Sequence, residues 1–189
     1  MSSGLNFKAG NAMQEFIIEL ETYTQCYGLD KDRIMRMWDE MLNGYESDPT
    51  LLLTEALLLK PAPYDALIII KDIAFTSVCR HHLLPFFGVC YVGYLPDKAI
   101  VGLSKIPRVV ECFARRLQLQ EQLTVQIGDT INKVLLPLGL GVIIKAKHLC
   151  MMARGIERRE AEVVTSFLSG IFKESQITRE EFLRCCGMM

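Results

Sequence analysis

Three histidines are all the chain contains, and each lies within three residues of a cysteine. They fall in two places, Cys79-Arg80-His81-His82 and His148-Leu149-Cys150. Core packing gives no reason for that pairing, whereas zinc chemistry does. A Cys-x-x-His stretch offers a thiolate and an imidazole to one ion from a tight turn, and a distant cysteine adds a further ligand. Three readings stand side by side. These are buried thiols and core histidines; or a closed structural site of Cys79, His82, His148 and Cys150; or an open site of three ligands, with a position left for water and histidines nearby to move protons. Spacing favours a metal and does not separate a structural ion from a catalytic one. The other cysteines, Cys26, Cys90, Cys112, Cys185 and Cys186, have no histidine near them and read as small hydrophobes.

The elements that must position these residues are legible in the hydrophobic pattern. Residues 67–78 are rich in β-branched side chains and read as a strand that ends at the first cluster, and 86–95 read as the next. The segment between them, closed by Pro85, is a loop. Residues 140–150 and 162–172 read as a second pair of strands, which puts His148 and Cys150 on the same face of one strand. Helical spacing marks 11–27, 30–43, 105–117 and 121–134, with Gly44 stopping the second and Asp48-Pro49 marking a turn. A last helix is expected at Thr178, as N-cap of a capping box with Glu181. Strands in adjacent pairs with helices between the pairs predict an α+β fold built on antiparallel sheet. The expected organisation is a helical N-terminal extension over 1–60 and one domain over 61–189.

Composition narrows the function. The chain has 189 residues, half of them hydrophobic and 23% charged, which suits one well-buried core and excludes a disordered or fibrous protein. Lys+Arg 21 against Asp+Glu 22 leaves a net charge of −1, without the basic excess of a dedicated nucleic-acid binder. No run approaches the roughly 18 apolar residues of a membrane helix. The greasiest stretch, 134–144, is interrupted by Pro137, Gly139 and Gly141. No secretory signal is visible at the N-terminus. Seven cysteines, an odd count and irregularly spaced apart from the adjacent Cys185-Cys186, do not form the pattern of a disulfide framework, so a reducing, cytoplasmic setting is expected, with neither nucleic acid nor membrane as partner.

Longer motifs surround the clusters. FTSVCRHHLLPFFG at 75–88 resembles the zinc-site signature of the GTP cyclohydrolase I family. VGLSKIPR at 101–108, ARRLQLQEQLT at 114–124, HLCMMARG at 148–155 and VTS at 164–166 follow in that family's order. The resemblance runs from about Arg33 to Leu183. It implies a tunnelling fold assembling into a ring, a homodecamer with sites at subunit interfaces. It implies hydrolysis of GTP to 7,8-dihydroneopterin triphosphate and formate, a product that feeds folate, biopterin and deazaguanine routes alike. By the same resemblance Cys79, His82 and Cys150 are ligands of Zn2+, and His81 and His148 occupy proton-transfer positions. Opening a purine at C8 needs a strong nucleophile at neutral pH, which zinc provides by lowering the pKa of its water to about 7. Glu121 matches the guanine-binding carboxylate, whose two oxygens accept N1–H and the exocyclic amine together, and Gln120 beside it could add a polar contact. Ser104, Lys105, Arg108 and Arg154 match triphosphate-binding positions, with Arg33 and Arg36 aligning to two more in the N-terminal helix.

The chain departs from the family in three places. Arg80 stands where a glutamate is usual between the metal cysteine and the histidine pair, a cation that favours the Cys79 thiolate and disfavours protonated His81. Ala161 and Glu162 replace a usual Ser and Lys, and Asp30-Lys31 replaces a Thr-Pro helix start. These departures leave open a related enzyme acting on a modified guanine nucleotide or giving a different product, and a non-catalytic nucleotide-binding ring subunit.

Overall fold

The computed structural model describes residues 5–59 and 66–188 and divides the chain into two compact units, Met1–Leu42 and Asn43–Met189. The first holds α1 (Leu5–Thr24) and α2 (Lys31–Leu42). Asp30 starts α2, its carboxylate accepting the Arg33 amide at 2.9 Å.

The second unit opens with a 3-10 turn, Asn43–Glu46, and α3 (Pro49–Thr54). Asp48-Pro49, expected as a turn, begins this helix. Asp48 caps it through the amides of Thr50 and Leu51, and Pro49 supplies the fixed φ of a first helical residue. Then come β1 (Leu57–Leu59), β2 (Ile68–Cys79), β3 (Pro85–Leu95), β4 (Ala99–Val101), α4 (Lys105–Ala114), β5 (Leu117–Gln118) and α5 (Gln120–Leu135). The chain continues through β6 (Gly139–His148), α6 (Leu149–Met152), β7 (Val163–Gly170), α7 (Ile171–Glu174) and α8 (Gln176–Cys185). β1 and β4 form a small antiparallel ladder; the main sheet runs β5-β2-β3-β6-β7, antiparallel except where β5 joins β2. The α+β class read from the sequence is the observed one.

Period-two alternation leaves the central strands β3 and β6 with buried residues on both faces. Phe86, Cys90, Val92 and Tyr94 of β3 join a core with residues of α3, α4 and α5, while Tyr91 and Ile143 face Phe172 and Phe182 on the other side. On that second side Gly93 and Gly141 are cross-strand partners that leave a slot for the Phe182 ring, since a Cβ on either would lie 2.6 or 2.4 Å from it.

One irregularity decides which face Cys79 meets. Between Ile70 and Ile73 the β2 register advances three residues while β3 advances two, from Val92 to Cys90. The extra residue is a bulge, with Asp72 left-handed at φ 56°. Ile68 and Ile70 therefore share the helix-covered face with Ile73, Phe75 and Cys79, and an unbulged strand would turn Cys79 to the opposite side.

Three expectations are corrected. β6 ends at His148, and Cys150 sits on the one-turn helix α6, so the two are not alternate residues of one strand. The cap of α8 is Ser175, whose hydroxyl accepts the Thr178 amide at 3.4 Å. Ser175 has the extended backbone a cap needs, and Thr178 already lies in the first turn. Of the cysteines read as small hydrophobes, Cys90, Cys112 and Cys186 are buried but Cys26 and Cys185 are exposed; all seven are free thiols.

Candidate functional site

The turn after β2 is built to expose two histidines while its cysteine stays inside. The Cys79 amide donates to Leu84 O at 2.9 Å, and the Cys79 carbonyl accepts from Leu83 N at 2.8 Å. Leu83 closes the turn in the left-handed conformation at φ 55°, a strain on the order of 1 kcal/mol for a branched side chain. Cys79 is buried, and His81 and His82 are exposed. Arg80 is tied to β5 by its amide, which donates to Gln118 O at 3.1 Å, and to the first turn of α5 by its guanidinium, which donates to Gln122 Oε1 at 3.0 Å.

Cys150 comes to this turn from the other end of the chain. Because β6 pairs with β3, His148 lies opposite Phe86, and the turn of helix that follows carries Cys150 to the end of β2. The Sγ of Cys79, a ring nitrogen of His82 and the Sγ of Cys150 lie within 4.8 Å of one another, a possible metal group among the described residues. A tetrahedral zinc with two sulfurs and one nitrogen spaces those atoms roughly 3.5–3.8 Å apart, so the residues fit the ion with small adjustments. Electrostatics point the same way. Burial raises the Cys150 thiol, the Cys79 thiol beside it raises it further, and Arg154 pulls it down only in part. Two thiolates side by side are unfavourable without a cation, and a divalent ion removes the conflict.

His148 stands outside this group. Its Nε2 is 2.7 Å from Gln120 Oε1, and its ring lies flat on Phe86. Burial lowers its pKa, opposed by the nearby Glu121 carboxylate. Of the open and closed metal sites read from spacing, the geometry assembles the three-ligand one.

The remaining expected residues fall on both units. Glu121 is exposed on the first turn of α5. Gln120, expected to touch substrate, is 1% exposed, and its amide is engaged by Ile144 O, Val163 O and Thr165 Oγ1 as well as by His148. Ser104, Lys105 and Arg108 sit at the N-terminal end of α4, Ser104 making no side-chain cap bond. Arg108 borders a cavity of about 220 Å³ with Asn43, Ser47 and Glu111, and no member of the metal group lines it. Arg154 is exposed just beyond α6. Arg33 and Arg36 are exposed on α2 of the first unit, Arg33 3.8 Å from Asp30.

Sequence reading missed Phe86, Thr124 and Thr165 as parts of this site. All three stand inside the quoted motifs, so the signal was present, but only the folded contacts and the β3–β6 and β6–β7 registers show what they touch.

Comparison with known proteins places these residues in company. The family model for GTP cyclohydrolase I matches residues 9–187. A GTP cyclohydrolase 1 of Chlorobaculum tepidum is 51% identical over 84% of this chain and 70% of its own length. Those of Leptospira biflexa and Wolinella succinogenes are each 45% identical, over 92% and 80% of this chain and 94% and 80% of theirs. Among solved structures, an archaeosine synthase described as QueF-like, in its apo form, superposes with a TM-score of 0.47 at 21% identity, covering 57% of this chain and 96% of that one.

Proposed function

The chain belongs to the GTP cyclohydrolase I family, and on that premise we propose that it hydrolyses GTP to 7,8-dihydroneopterin triphosphate and formate with zinc at Cys79, His82 and Cys150. The observation that carries the reading is the convergence of those three ligand atoms from segments about seventy residues apart. Zinc held there would lower the pKa of a bound water to about 7, supplying a nucleophile for purine C8 at neutral pH.

The chain's own residues do the rest. Glu121, exposed at the start of α5, accepts the guanine N1–H and amino group and so presents C8 in a fixed orientation. Lys105, Arg108 and Arg154 offset the charge of the triphosphate and the Ser104 hydroxyl donates to a phosphate oxygen; Arg33 and Arg36 are assigned the same charge-offsetting work. His148, half-buried and held by Gln120 and Phe86, and His81, exposed on the turn, move protons as the ring opens and formate leaves.

The α+β layering supports a tunnelling fold over the 61–189 expected from the sequence; of the expected 1–60 extension, 43–59 belong with that fold, Leu53 joining its core and β1 pairing with β4. A homodecameric ring belongs to the same proposal. The main sheet ends at β7, whose outer edge has no partner strand among the described residues, and sheet continued into a neighbouring copy would cover it. Seven free thiols support a cytoplasmic setting. No described helix is long and apolar enough to cross a membrane.

The test is formate release from GTP by zinc-loaded protein, with the second product identified by mass. One formate per dihydroneopterin triphosphate supports the proposal. A folded, zinc-bound chain that releases none moves the reading to an altered nucleotide or to a non-catalytic ring subunit.

A further inference from the structure

We propose that Gln120 is a positioning residue that selects the working nitrogen of His148: Nε2 is held as an N–H donor to Gln120, which leaves the lone pair on Nδ1. The inference rests on the reading of His148 as a proton-transfer group.

A side-chain amide can be turned end for end, so its orientation has to be argued from its partners. At Gln120 the partners decide it. One end of the amide faces Ile144 O at 3.2 Å and Val163 O at 2.9 Å, and backbone carbonyls only accept. That end is therefore the NH2, contributed toward β6 and β7 together. Thr165 Oγ1, at 3.1 Å, is a third acceptor for its two hydrogens. The hydroxyls close the network in one sense only. Thr124 donates to Gln120 O at 2.8 Å, so Thr165, 2.7 Å from Thr124, donates to Thr124 and keeps a lone pair for the Gln120 amide. With the nitrogen placed, the Gln120 oxygen is the atom 2.7 Å from His148 Nε2. An amide oxygen only accepts, so Nε2 carries the hydrogen in either charge state.

The ring has no freedom to evade this. Phe86 fixes its plane, with centroids 4.6 Å apart and an interplanar angle of 1°, and Gln120 fixes its rotation within that plane. Gln120 is itself 1% exposed, which keeps water from replacing it. Nδ1 is then the ring nitrogen left with its lone pair outside the Gln120 contact.

Only three histidines make the test direct. Zinc-loaded, assembled protein labelled with 15N-histidine would be measured by magic-angle-spinning NMR at about pH 8.5, above the ordinary imidazole range, with His148 assigned by its loss in His148→Asn. A single tautomer with protonated Nε2 and bare Nδ1 is expected; protonated Nδ1 overturns the proposal. Gln120→Met, of similar length, is expected to give mixed tautomers and about a 30-fold lower kcat, with KM for GTP within threefold and zinc content unchanged. An unaltered single tautomer in that variant would overturn the role of Gln120. Gln120→Glu keeps an oxygen facing Nε2 and is expected to restore the single tautomer; a mixture there counts against the proposal as well. If the wild-type tautomer is as expected but no formate is released from GTP, the assignment stands and the functional reading falls.

Discussion

Phe86 and His148 are cross-strand partners on β3 and β6, and their rings lie flat together, 4.6 Å between centroids. Phe86 is fully buried against the helices, so the imidazole rests on a surface that cannot move without the core moving. Phe86→Leu keeps an apolar side chain but loses the flat contact. It is expected to cost about 1–2 kcal/mol of stability and to lower kcat roughly tenfold with KM for GTP little changed. Denaturant titration with steady-state formate release checks this; a change in KM alone would mean that the stack serves binding rather than the histidine.

The metal group gives a second expectation. Cys150 is at the end of the sheet on a single turn of helix, so Cys150→Ser is expected to leave the fold intact. Bound zinc should fall below about a tenth of an equivalent per chain, and formate release by at least a hundredfold. Metal analysis beside far-ultraviolet circular dichroism separates loss of the ion from loss of the fold. Full zinc occupancy in the variant would reassign the third ligand.

Gly141 and Phe182 should be coupled. A Cβ at Gly141 would lie 2.4 Å from the Phe182 ring, so Gly141→Ala is expected to cost about 2–3 kcal/mol by forcing the ring out. Phe182→Ala is expected to cost about 3–5 kcal/mol, the ring being fully buried where α8 lays it on the sheet. With the ring gone the new methyl has room, so the double variant should fall short of the sum by more than about 1 kcal/mol. Strict additivity would show that the two do not share one slot.

Adjacent Cys185 and Cys186 should differ in reactivity. Burial, with Cys185 beside it, pushes the Cys186 thiol up to about 11, while Cys185 is exposed. Near pH 8 roughly one Cys186 in a thousand is then ionised, and only the thiolate alkylates. Peptide mapping after iodoacetamide treatment of zinc-loaded protein should find Cys185 modified and Cys186 largely intact. Equal labelling would contradict the burial that sets the difference.

Arg80 is exposed, and its guanidinium hydrogen-bonds Gln122. Arg80→Ala is expected to change stability by less than about 1 kcal/mol and formate release by less than fivefold. A hundredfold loss would place the guanidinium on the substrate, and would make this departure from the family a functional one.

The chemistry of the site was legible in residue types. Histidine beside cysteine in two separated places points to a metal because few other arrangements use both, and that is a property of side chains rather than of fold. Strand and helix identities followed from periodicity for the same reason: alternation and helical spacing are imposed by burying one face of each element. Helix starts were less secure, since Asp48-Pro49 and Ser175 carry the same residue types in turns and in caps.

What the sequence could not decide was which way each group faces. One extra residue at the β2 bulge sets the face of Cys79, and pairing fixes that register, not local preference. The end of β6 at His148 separates two residues that spacing had placed together, sending Cys150 to the metal group and His148 to Gln120. Gln120 was expected to add a polar contact to substrate because it stands beside Glu121 in the motif. It is buried because β6 and β7 bring two carbonyls and a hydroxyl to it, partners between 24 and 45 residues away that only the folded sheet supplies. Residue types set what the groups can do; long-range strand pairing sets which of them meet.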